Sequence, residues 1–472
     1  MKKKICLLLT LILAFSFPAH AREDDEFGTK YFEAVKEFIL DTYKFEISES
    51  DLYSGALNAI LKENPEYLEK ALAGMTGRLD KFSQYLTKDE YSSWITDLSG
   101  KFVGIGVSIE DRNGKVTVIN PFADSPAEKA GMLSGDVIAS VDGENVLGKT
   151  IAEIQTLIAG EAGTPVTVGV IRTGNENIIE FKMLRAAVTQ STVASSLLED
   201  NIGYLSIAQF AETTSDDVKK ALDAFEKDNV KKIIIDVRNN PGGEQNSVVE
   251  TLGYFAPKGP VMNIEYKDSS MNETFYSDGK YFGKFDIVIL ANENSASAAE
   301  VFTGTMKDTK SATIIGTTTY GKGTVQTIQG LLTGGAVKLT IATYTTAAGT
   351  QVNKIGIEPD IEVKNKIYPL YENPDVDEMQ FAVTIDENSG EEYIKPFEYR
   401  LSLLGIYCGN AYDGKIDSDT TAAVKLFQEK FGLPPTGEIT IDTQVALNNA
   451  TREIKTVYDK QFDTAVEFLN KK

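Results

Sequence analysis

Ile287-Val-Ile-Leu-Ala-Asn-Glu-Asn-Ser-Ala-Ser297-Ala-Ala-Glu300 carries an apolar run into a short polar turn and then into a helical stretch. Ile287 to Leu290 reads as a buried strand, and helical spacing runs from about Ser297 to Met306. Ser297 therefore stands where strand hands over to helix, its hydroxyl beside backbone N–H groups that have no helical partner. The four residues Ser297 to Glu300 also fit a capping box, in which hydroxyl and carboxylate satisfy each other's backbone donors. Taken alone, this motif does not separate a cap from a nucleophile.

The rest of the composition narrows the chemistry open to that serine. Met1 to Ala21 has three lysines, an apolar run from Ile5 to Phe17 and an Ala19-His20-Ala21 site, the pattern of an export leader removed at residue 21 or retained as an anchor. His20 is the sole histidine, and Cys6 and Cys408 are the two cysteines. A cleaved chain has no histidine and one cysteine, which excludes a Ser-His-Asp triad, a Cys-His pair, His-ligated zinc and an internal disulfide. Loss of the leader lysines takes the net charge from −22 to −25, which disfavours nucleic acid and anionic lipid as partners.

Upstream, Phe32 to Tyr43 and Asp51 to Ala73 show helical spacing and read as a small helical head, either a packing module or a dimer arm. From Gly100, short alternating strands with glycine turns take over at Val107 to Ile109, Val116 to Ile119, Val137 to Val141 and Val166 to Ile171. Helical pieces interrupt them at Pro126 to Ala130 and Ile151 to Ile158. Phe102-Val-Gly-Ile-Gly-Val107, Ser125-Pro-Ala-Glu-Lys-Ala-Gly131 and Ser134-Gly-Asp-Val-Ile-Ala-Ser-Val-Asp-Gly143 follow in the order of a bacterial PDZ domain, which this stretch resembles. On that likeness the backbone N–H groups of Val103, Gly104, Ile105 and Gly106 receive a peptide's terminal carboxylate, and the next strand edge pairs with the peptide. Arg172, one charge at the end of an apolar strand, is a candidate reporter of occupancy to the core.

Tyr204 to Ile207 and Ile233 to Val237 read as strands around a helix from about Ser215 to Lys227. The second strand runs into Asp236-Val-Arg-Asn-Asn-Pro-Gly-Gly243, a turn whose consecutive N–H groups suit an anion or oxyanion. Further on, Gly316-Thr-Thr-Thr-Tyr-Gly-Lys322 comes within one residue of a phosphate-binding loop. Gly323 stands where that loop needs a hydroxyl, and Thr324 onward alternates like a strand, so no helix N-terminus is on offer. Lys322 instead suits a base for Ser297. A free amine is protonated at neutral pH, but burial disfavours the ammonium and leaves a neutral amine able to accept the serine proton. Gln326, four residues on, offers a neutral hydrogen bond that orients the amine without restoring its charge.

Ser295 to Glu300, Lys322 with Gln326, the turn at Asn239 to Gly243, Gly356-Ile-Glu-Pro-Asp-Ile-Glu-Val363 and the PDZ-like module together resemble the C-terminal processing peptidases, or tail-specific proteases, over about residues 30 to 365. The resemblance implies a Ser-Lys endopeptidase on a crotonase-like α/β core. It makes Ser297 the nucleophile, Lys322 the general base and Gln326 the orienting partner. Gly242 or Gly243, with Ala298, would supply the oxyanion hole, and Asp308 is either a further site residue or a purely structural one at a helix end.

After an acidic stretch, Gly414-Lys-Ile-Asp-Ser-Asp-Thr-Thr-Ala-Ala-Val424 repeats as Gly437-Glu-Ile-Thr-Ile-Asp-Thr-Gln-Val-Ala-Leu447, each a turn plus a capped helix. This unit resembles the peptidoglycan-binding domain of cell-wall hydrolases. Ile454, Val457, Phe462, Val466 and Leu469 fall on one helical face; through Asp459-Lys-Gln-Phe-Asp-Thr-Ala-Val466 this stretch resembles the tail that closes the core of such peptidases, and a helix pairing two chains is the other reading.

The expected architecture is a multidomain α/β chain. Its layout is a leader over 1–21, a helical segment over 22–87, a PDZ domain over 88–185, a protease core over 186–365, a linker over 366–394, an all-α peptidoglycan-binding-like domain over 395–450 and a C-terminal helix over 451–472. The expected function is an exported, envelope-associated serine endopeptidase with no cofactor or metal. It would act on proteins with accessible C-termini, with peptidoglycan and a second copy of the chain as further partners. A non-catalytic PDZ adaptor on the cell wall is the alternative.

Overall fold

The computed structural model describes residues 27–112, 114–172, 177–406 and 413–471. The leader and Cys408 lie outside them. No helix among the described residues is long and apolar enough to cross a membrane.

Two compact units emerge. The smaller contains the N-terminal segment and residues 329–338. Its helices are α1 (Phe27–Thr42), α2 (Glu49–Glu63) and α3 (Leu68–Thr76), and its strand β1 (Gln84–Leu86) pairs antiparallel with residues 336–338. Ser48 caps α2 with a capping box, yet α2 buries none of its residues. Tyr53, Leu57 and Ile60 on it are exposed.

The larger unit begins with α4 (Lys88–Ser99) and β2 (Lys101–Gly104), followed by β3 (Val107–Arg112), β4 (Lys115–Pro121), α5 (Pro126–Ala130), β5 (Val137–Val141), β6 (Glu144–Asn145), α6 (Ile151–Ile158), β7 (Pro165–Ile171) and β8 (Ile179–Leu184). The sheet order β3-β4-β5-β7-β8 leaves β3 as an edge strand. Alternation puts Val116, Val118, Ile138, Val166, Val168 and Val170 into one core with Ile154 and Ile158 of α6. Thr150 caps α6 through a full capping box. β2 leaves this sheet and pairs with β9 (Ala186–Thr189).

Next come β10 (Val193–Leu197), β11 (Ile202–Ile207), α7 (Thr214–Lys227), β12 (Lys232–Asp236), α8 (Gln245–Phe255), the antiparallel pair β13 (Gly259–Tyr266) and β14 (Glu273–Ser277), β15 (Asp286–Ala291), α9 (Ala298–Asp308) and β16 (Thr313–Gly316). β17 (Thr324–Gly330), β18 (Ala336–Thr346) and β19 (Ile361–Glu362) end this region. The sheet order is β10-β11-β12-β15-β16-β19, parallel from β11 onward. Its strands are continuously apolar because both faces are covered. Ile233, Ile235, Ile287, Ile289 and Ile314 face a core shared with α7, α8 and α9. Ile202, Ile234, Val288, Leu290 and Ile315 face the other way and meet Ala465 and Leu469 of the C-terminal helix.

Two sequence expectations need correction. The stretch 366–394 is not loosely packed: β20 (Lys366–Pro369) pairs with β23 (Lys455–Tyr458), and Met379 and Ile385 enter the core of the following domain. β21 (Thr384–Ile385) pairs there with β22 (Ile439–Thr440), against α10 (Glu391–Leu403), α11 (Ser418–Lys430) and α12 (Ile441–Thr451). The terminal helix α13 (Lys460–Asn470) is also shorter than the apolar spacing suggests. Ile454 and Val457 precede it, because the β-branched run Thr456-Val457 joins the ribbon and Asp459 caps the helix only afterwards. Phe462, Ala465 and Leu469 pack on the sheet, so the tail closes the core.

The internal repeat carries an asymmetry with a consequence for stability. In its second copy the Gly437 N–H donates to Gln428 Oε1 at 2.9 Å, and Gln428 Nε2 donates to Thr443 Oγ1 at 3.0 Å. In the first copy Glu398 takes the glutamine's place, accepting from the Gly414 N–H at 3.1 Å and from Thr420 Oγ1 at 3.4 Å. Burial, aided by Asp413 and Asp417 and opposed by the Gly414 bond, pushes the Glu398 carboxyl up to about 7. The folded domain holds this proton more tightly than the unfolded chain, so its stability falls as pH rises from the ordinary 4.5 through about 7 and then levels off. Glu398→Gln should remove that slope and raise the melting temperature of this domain's transition at pH 8. Calorimetry of the two full-length proteins from pH 5 to 8 checks this, and parallel pH profiles would contradict it.

Candidate active site

The parallel strands β12, β15 and β16 all deliver their C-terminal ends to one edge of the sheet, where open α/β sheets place their sites. Three loops leave from that edge. The first holds the Asn239 to Gly243 turn, the second Asn292 to Ser297, and the third runs from Thr317 to Lys322.

Asparagines lock the first loop to the second. The Asn239 N–H donates to Asn292 Oδ1 at 2.9 Å, and Asn292 Nδ2 and Asn294 Nδ2 donate to Asn239 Oδ1 at 3.0 and 2.9 Å. The Ala296 N–H donates to the Asn240 carbonyl at 2.9 Å. Ser295, fully buried, donates from its hydroxyl to the Val237 carbonyl at 2.7 Å, so it braces the turn. Gly242 lies so close that a Cβ there would meet Ser297 Cβ at 2.7 Å and the Ala298 nitrogen at 2.9 Å. Its φ of +107° would also strain any side-chain-bearing residue.

Ser297 has φ 55° and ψ −116°, a backbone conformation L residues rarely adopt. The next residue opens α9, so the hydroxyl sits on a sharp strand-to-helix turn. Strain of this kind persists only where surrounding contacts over-determine it. Here the main contact is the carboxylate of Glu300, which is 0% exposed. Its Oε2 accepts from the Ser297 N–H at 2.9 Å and from the Lys322 N–H at 2.8 Å. Its Oε1 accepts from the Gly321 N–H and from Thr319 Oγ1, both at 2.6 Å. One buried carboxylate thus fastens the backbone of both candidate residues.

Tyr344, on β18, adds a second fastening. Its hydroxyl lies 3.0 Å from the Ser297 carbonyl and 2.9 Å from the Lys322 carbonyl, where its proton can serve either acceptor. Burial, with the charge of Glu300, pushes that hydroxyl well above its ordinary value and keeps it a donor. The third loop is also held from behind. The Ile357 N–H donates to Thr319 Oγ1 at 2.7 Å, and the Lys354 N–H donates to the Gly321 carbonyl at 2.8 Å. The Gly356 to Val363 string therefore braces the Lys322 loop.

The remaining sequence candidates divide. The Gly242 N–H donates to Asn240 Oδ1 at 2.8 Å and is engaged within the turn. For the N–H groups of Gly243 and Ala298 no acceptor is found among the described residues, which favours Gly243 over Gly242 as the upstream oxyanion donor. Gln326 turns its amide nitrogen to Thr324 Oγ1 at 2.8 Å and Thr340 Oγ1 at 3.3 Å. Lys322 is half-buried. Asp308 ends α9, eleven residues beyond Ser297 and thus about 16 Å along the helix axis. It accepts from Thr346 Oγ1 and, at 2.9 Å, from the Ala348 N–H, so its contacts fix the turn after β18.

In the PDZ-like module, Val103 and Gly104 lie in β2, and Ile105 is buried with its carbonyl accepting from the Ala127 N–H at 2.9 Å. Gly106, at φ +76°, leads into the edge strand β3. Arg172 is engaged inside the module, donating to Asp136 at 2.7 and 2.8 Å and to the Gly131 carbonyl at 3.0 Å. The other charge acting on it is Asp419 of the C-terminal domain, so the expected contact with the core is replaced by these partners.

Tyr344 and the reach of Glu300 to the Lys322 loop escaped the sequence reading. Tyr344 sits in an alternating strand with no motif around it. Four asparagines at the ends of two apolar strands were a usable signal for the loop lock.

Residues 201–363 match the model of peptidase family S41, residues 103–183 a PDZ domain and residues 391–447 a peptidoglycan binding domain. The chain is 32% identical over 413 residues to the carboxy-terminal processing protease CtpA of Bacillus subtilis (strain 168), covering 87% of this chain and 86% of that one. It is 34% identical over 406 residues to a CtpA-like serine protease of Staphylococcus haemolyticus (strain JCSC1435), covering 85% and 79%. CtpB of Bacillus subtilis (strain 168) is 32% identical over 414 residues, covering 86% and 85%.

Glu300→Gln places an NH2 group where N–H donors now converge, leaving at least one buried donor without an acceptor, at a cost of about 1–3 kcal/mol. Its kcat should fall at least about tenfold with KM unchanged. Tyr344→Phe, which removes one oxygen, should do the same to a smaller extent. Steady-state kinetics on a peptide substrate decide this, and wild-type kcat in Glu300→Gln would contradict it.

Proposed function

The chain belongs to peptidase family S41 and is a serine-type C-terminal processing protease, and from that premise we propose that Ser297 is its nucleophile and Lys322 its general base. The supporting observation is the shared hold of Glu300 on the Ser297 and Lys322 backbones, which commits two loops distant in sequence to one place. With no histidine beyond residue 20, the base must be another side chain. The Lys322 amine, when neutral, takes the proton of Ser297 Oγ as that oxygen attacks the scissile carbonyl. Charge developing on the carbonyl oxygen is met by the N–H groups of Gly243 and Ala298. The proton then passes to the leaving amine, giving an acyl-enzyme that water hydrolyses with Lys322 again as base. Gln326 Oε1, left as an acceptor once its NH2 serves the two threonines, would orient the amine.

The PDZ domain would capture the substrate's C-terminus. β3 is an open edge next to Val103 to Gly106, with α6 alongside, the arrangement in which a peptide adds as a further strand. Capture there would deliver the chain upstream of the terminus to the sheet edge at Ser297. The peptidoglycan-binding domain and the CtpA relatives support association with the cell envelope, and the leader over 1–21 supports export. The exposed Tyr53, Leu57 and Ile60 on a helix that buries nothing suit contact with a second copy of the chain. Peptidase membership sets aside the adaptor reading, which the sequence had left open.

The test is cleavage of a protein with an unfolded C-terminal tail by folded Ser297→Ala, Lys322→Ala and Lys322→Arg. All three should lose activity by a thousandfold or more, on the order seen when a nucleophile or base is removed. Arginine keeps the charge but stays protonated, so it cannot serve as base. Substantial cleavage by Lys322→Arg would overturn the assignment of the base, and cleavage by Ser297→Ala that of the nucleophile.

A further inference from the structure

The peptidoglycan-binding domain is an insertion between the last core strand and the helix that closes the core. The chain leaves along β20 and returns along β23, and these two strands pair with each other from Lys366↔Tyr458 to Pro369↔Lys455. The base of this ribbon is well tied. Asn373, buried, donates from Nδ2 to Thr456 Oγ1 at 2.8 Å and to the Val457 carbonyl at 3.1 Å. The first residues after the ribbon are Asp459, Lys460 and Gln461.

Those residues meet Arg238, the residue immediately before the Asn239 to Gly243 turn. Arg238, two residues beyond the end of β12, is bound to Asp236 at that end, with Nε at 3.0 Å from both carboxylate oxygens and Nη2 at 2.6 Å from Oδ2. Tyr204 also donates to that carboxylate, at 2.8 Å. The remaining branch of the guanidinium leaves the segment altogether. Nη1 donates to Asp459 Oδ1 at 2.6 Å and to Gln461 Oε1 at 3.2 Å. Asp459 is itself fixed: Oδ1 accepts from the Phe462 N–H at 3.1 Å as the cap of α13, and its own N–H donates to Asp375 Oδ2 at 2.7 Å. Gln461 donates from Nε2 to the Val363 carbonyl at 2.8 Å. Burial works against the Asp459 carboxylate, but its bond and charge interaction with Arg238 outweigh this and hold it below the usual range.

We infer that Asp459 is a positioning residue for the peptidase reaction, acting through Arg238 on the turn that presents the Gly243 N–H. The inference rests on the proposed Ser297 and Lys322 assignment and on Gly243 as oxyanion donor. The turn contains Asn239 at φ 58° and two glycines at φ +107° and +140°, backbone that must be held from several sides, and its far end is tied to Phe210, whose N–H donates to the Gly242 carbonyl at 2.9 Å and whose carbonyl accepts from the Glu244 N–H at 2.7 Å. The asparagine lock fixes its side toward Ser297. The Arg238 clamp fixes its entrance, and half of that clamp comes from the segment returning from the peptidoglycan-binding domain. The catalytic edge is therefore complete only when the chain has passed through that domain and come back.

Asp459→Asn in the full chain isolates the charge, because asparagine retains the capping oxygen for the Phe462 N–H. Its kcat should fall about tenfold, the loss of one charge-assisted hydrogen bond, with KM unchanged. Hydrogen exchange should speed up in the peptide spanning residues 238–245 while β11 and β15 keep wild-type protection. Gln461→Leu should give the same pattern at smaller amplitude. Wild-type kcat in Asp459→Asn overturns the inference. So does a fall in kcat accompanied by equal loss of protection across the whole sheet, since Asp459 would then be a stability contact only. Ser297→Ala and Lys322→Arg run alongside keep the two levels apart, since activity surviving in either one defeats the Ser-Lys reading and leaves the clamp without its premise.

Discussion

A single buried carboxylate sets the terms for this active edge. Glu300 is enclosed, and among the described residues it receives four hydrogen bonds from two loops: the Ser297 N–H from one, and Thr319, Gly321 and Lys322 from the other. A buried carboxylate without partners is costly, whereas one met by several N–H and O–H donors is a rigid anchor. The strained backbone of Ser297 persists because this anchor, the Tyr344 hydroxyl and the asparagine lock each hold a different side of the same turn. Capping and catalysis are one arrangement here. The carboxylate that accepts from the Ser297 N–H at the start of the helix is the one that holds the Lys322 backbone.

The parallel sheet supplies the stage on which such an anchor is useful. β12, β15 and β16 end at one edge, so loops separated by 80 residues emerge side by side, and the helices packed on both faces leave that edge as the open end. The same logic explains the C-terminal insertion. α13 must cover the second face of the sheet for the core to close, so whatever domain lies between β19 and α13 has to leave and return at nearly the same point. The paired strands β20 and β23 meet that requirement, and they bring Asp459 to Arg238.

Much of this was legible in the sequence, where local pattern decides the outcome. The PDZ strands and helices fall where alternation and helical spacing place them, and α7 and α9 lie within one or two residues of their periodic stretches. Ser297, Lys322 and the glycine turn could be picked out because residue type limits what each can do chemically. What escaped depends on long-range register. Tyr344 looks like any aromatic in an alternating strand until β18 is set against the two loops. Asp308 carries a suitable functional group, yet the rise of its helix takes it away from Ser297. Ile454 and Val457 match a helical face by spacing, but pairing with β20 claims Val457 for a strand first. The stretch 366–394 reads as polar linker because its few apolar residues, Met379 and Ile385 among them, are spread out and find their partners only in the folded domain.

Residue-resolved hydrogen exchange of the wild-type protein tests the central claim most directly. The amide protons of Ser297, Gly321 and Lys322 all end on Glu300, although these residues lie outside any helix or strand. They are expected to exchange as slowly as the amides of β15 and with one common opening free energy. Exchange of these three amides at loop-like rates, or independently of one another, would contradict the view that Glu300 holds the Ser297 and Lys322 loops as a single unit.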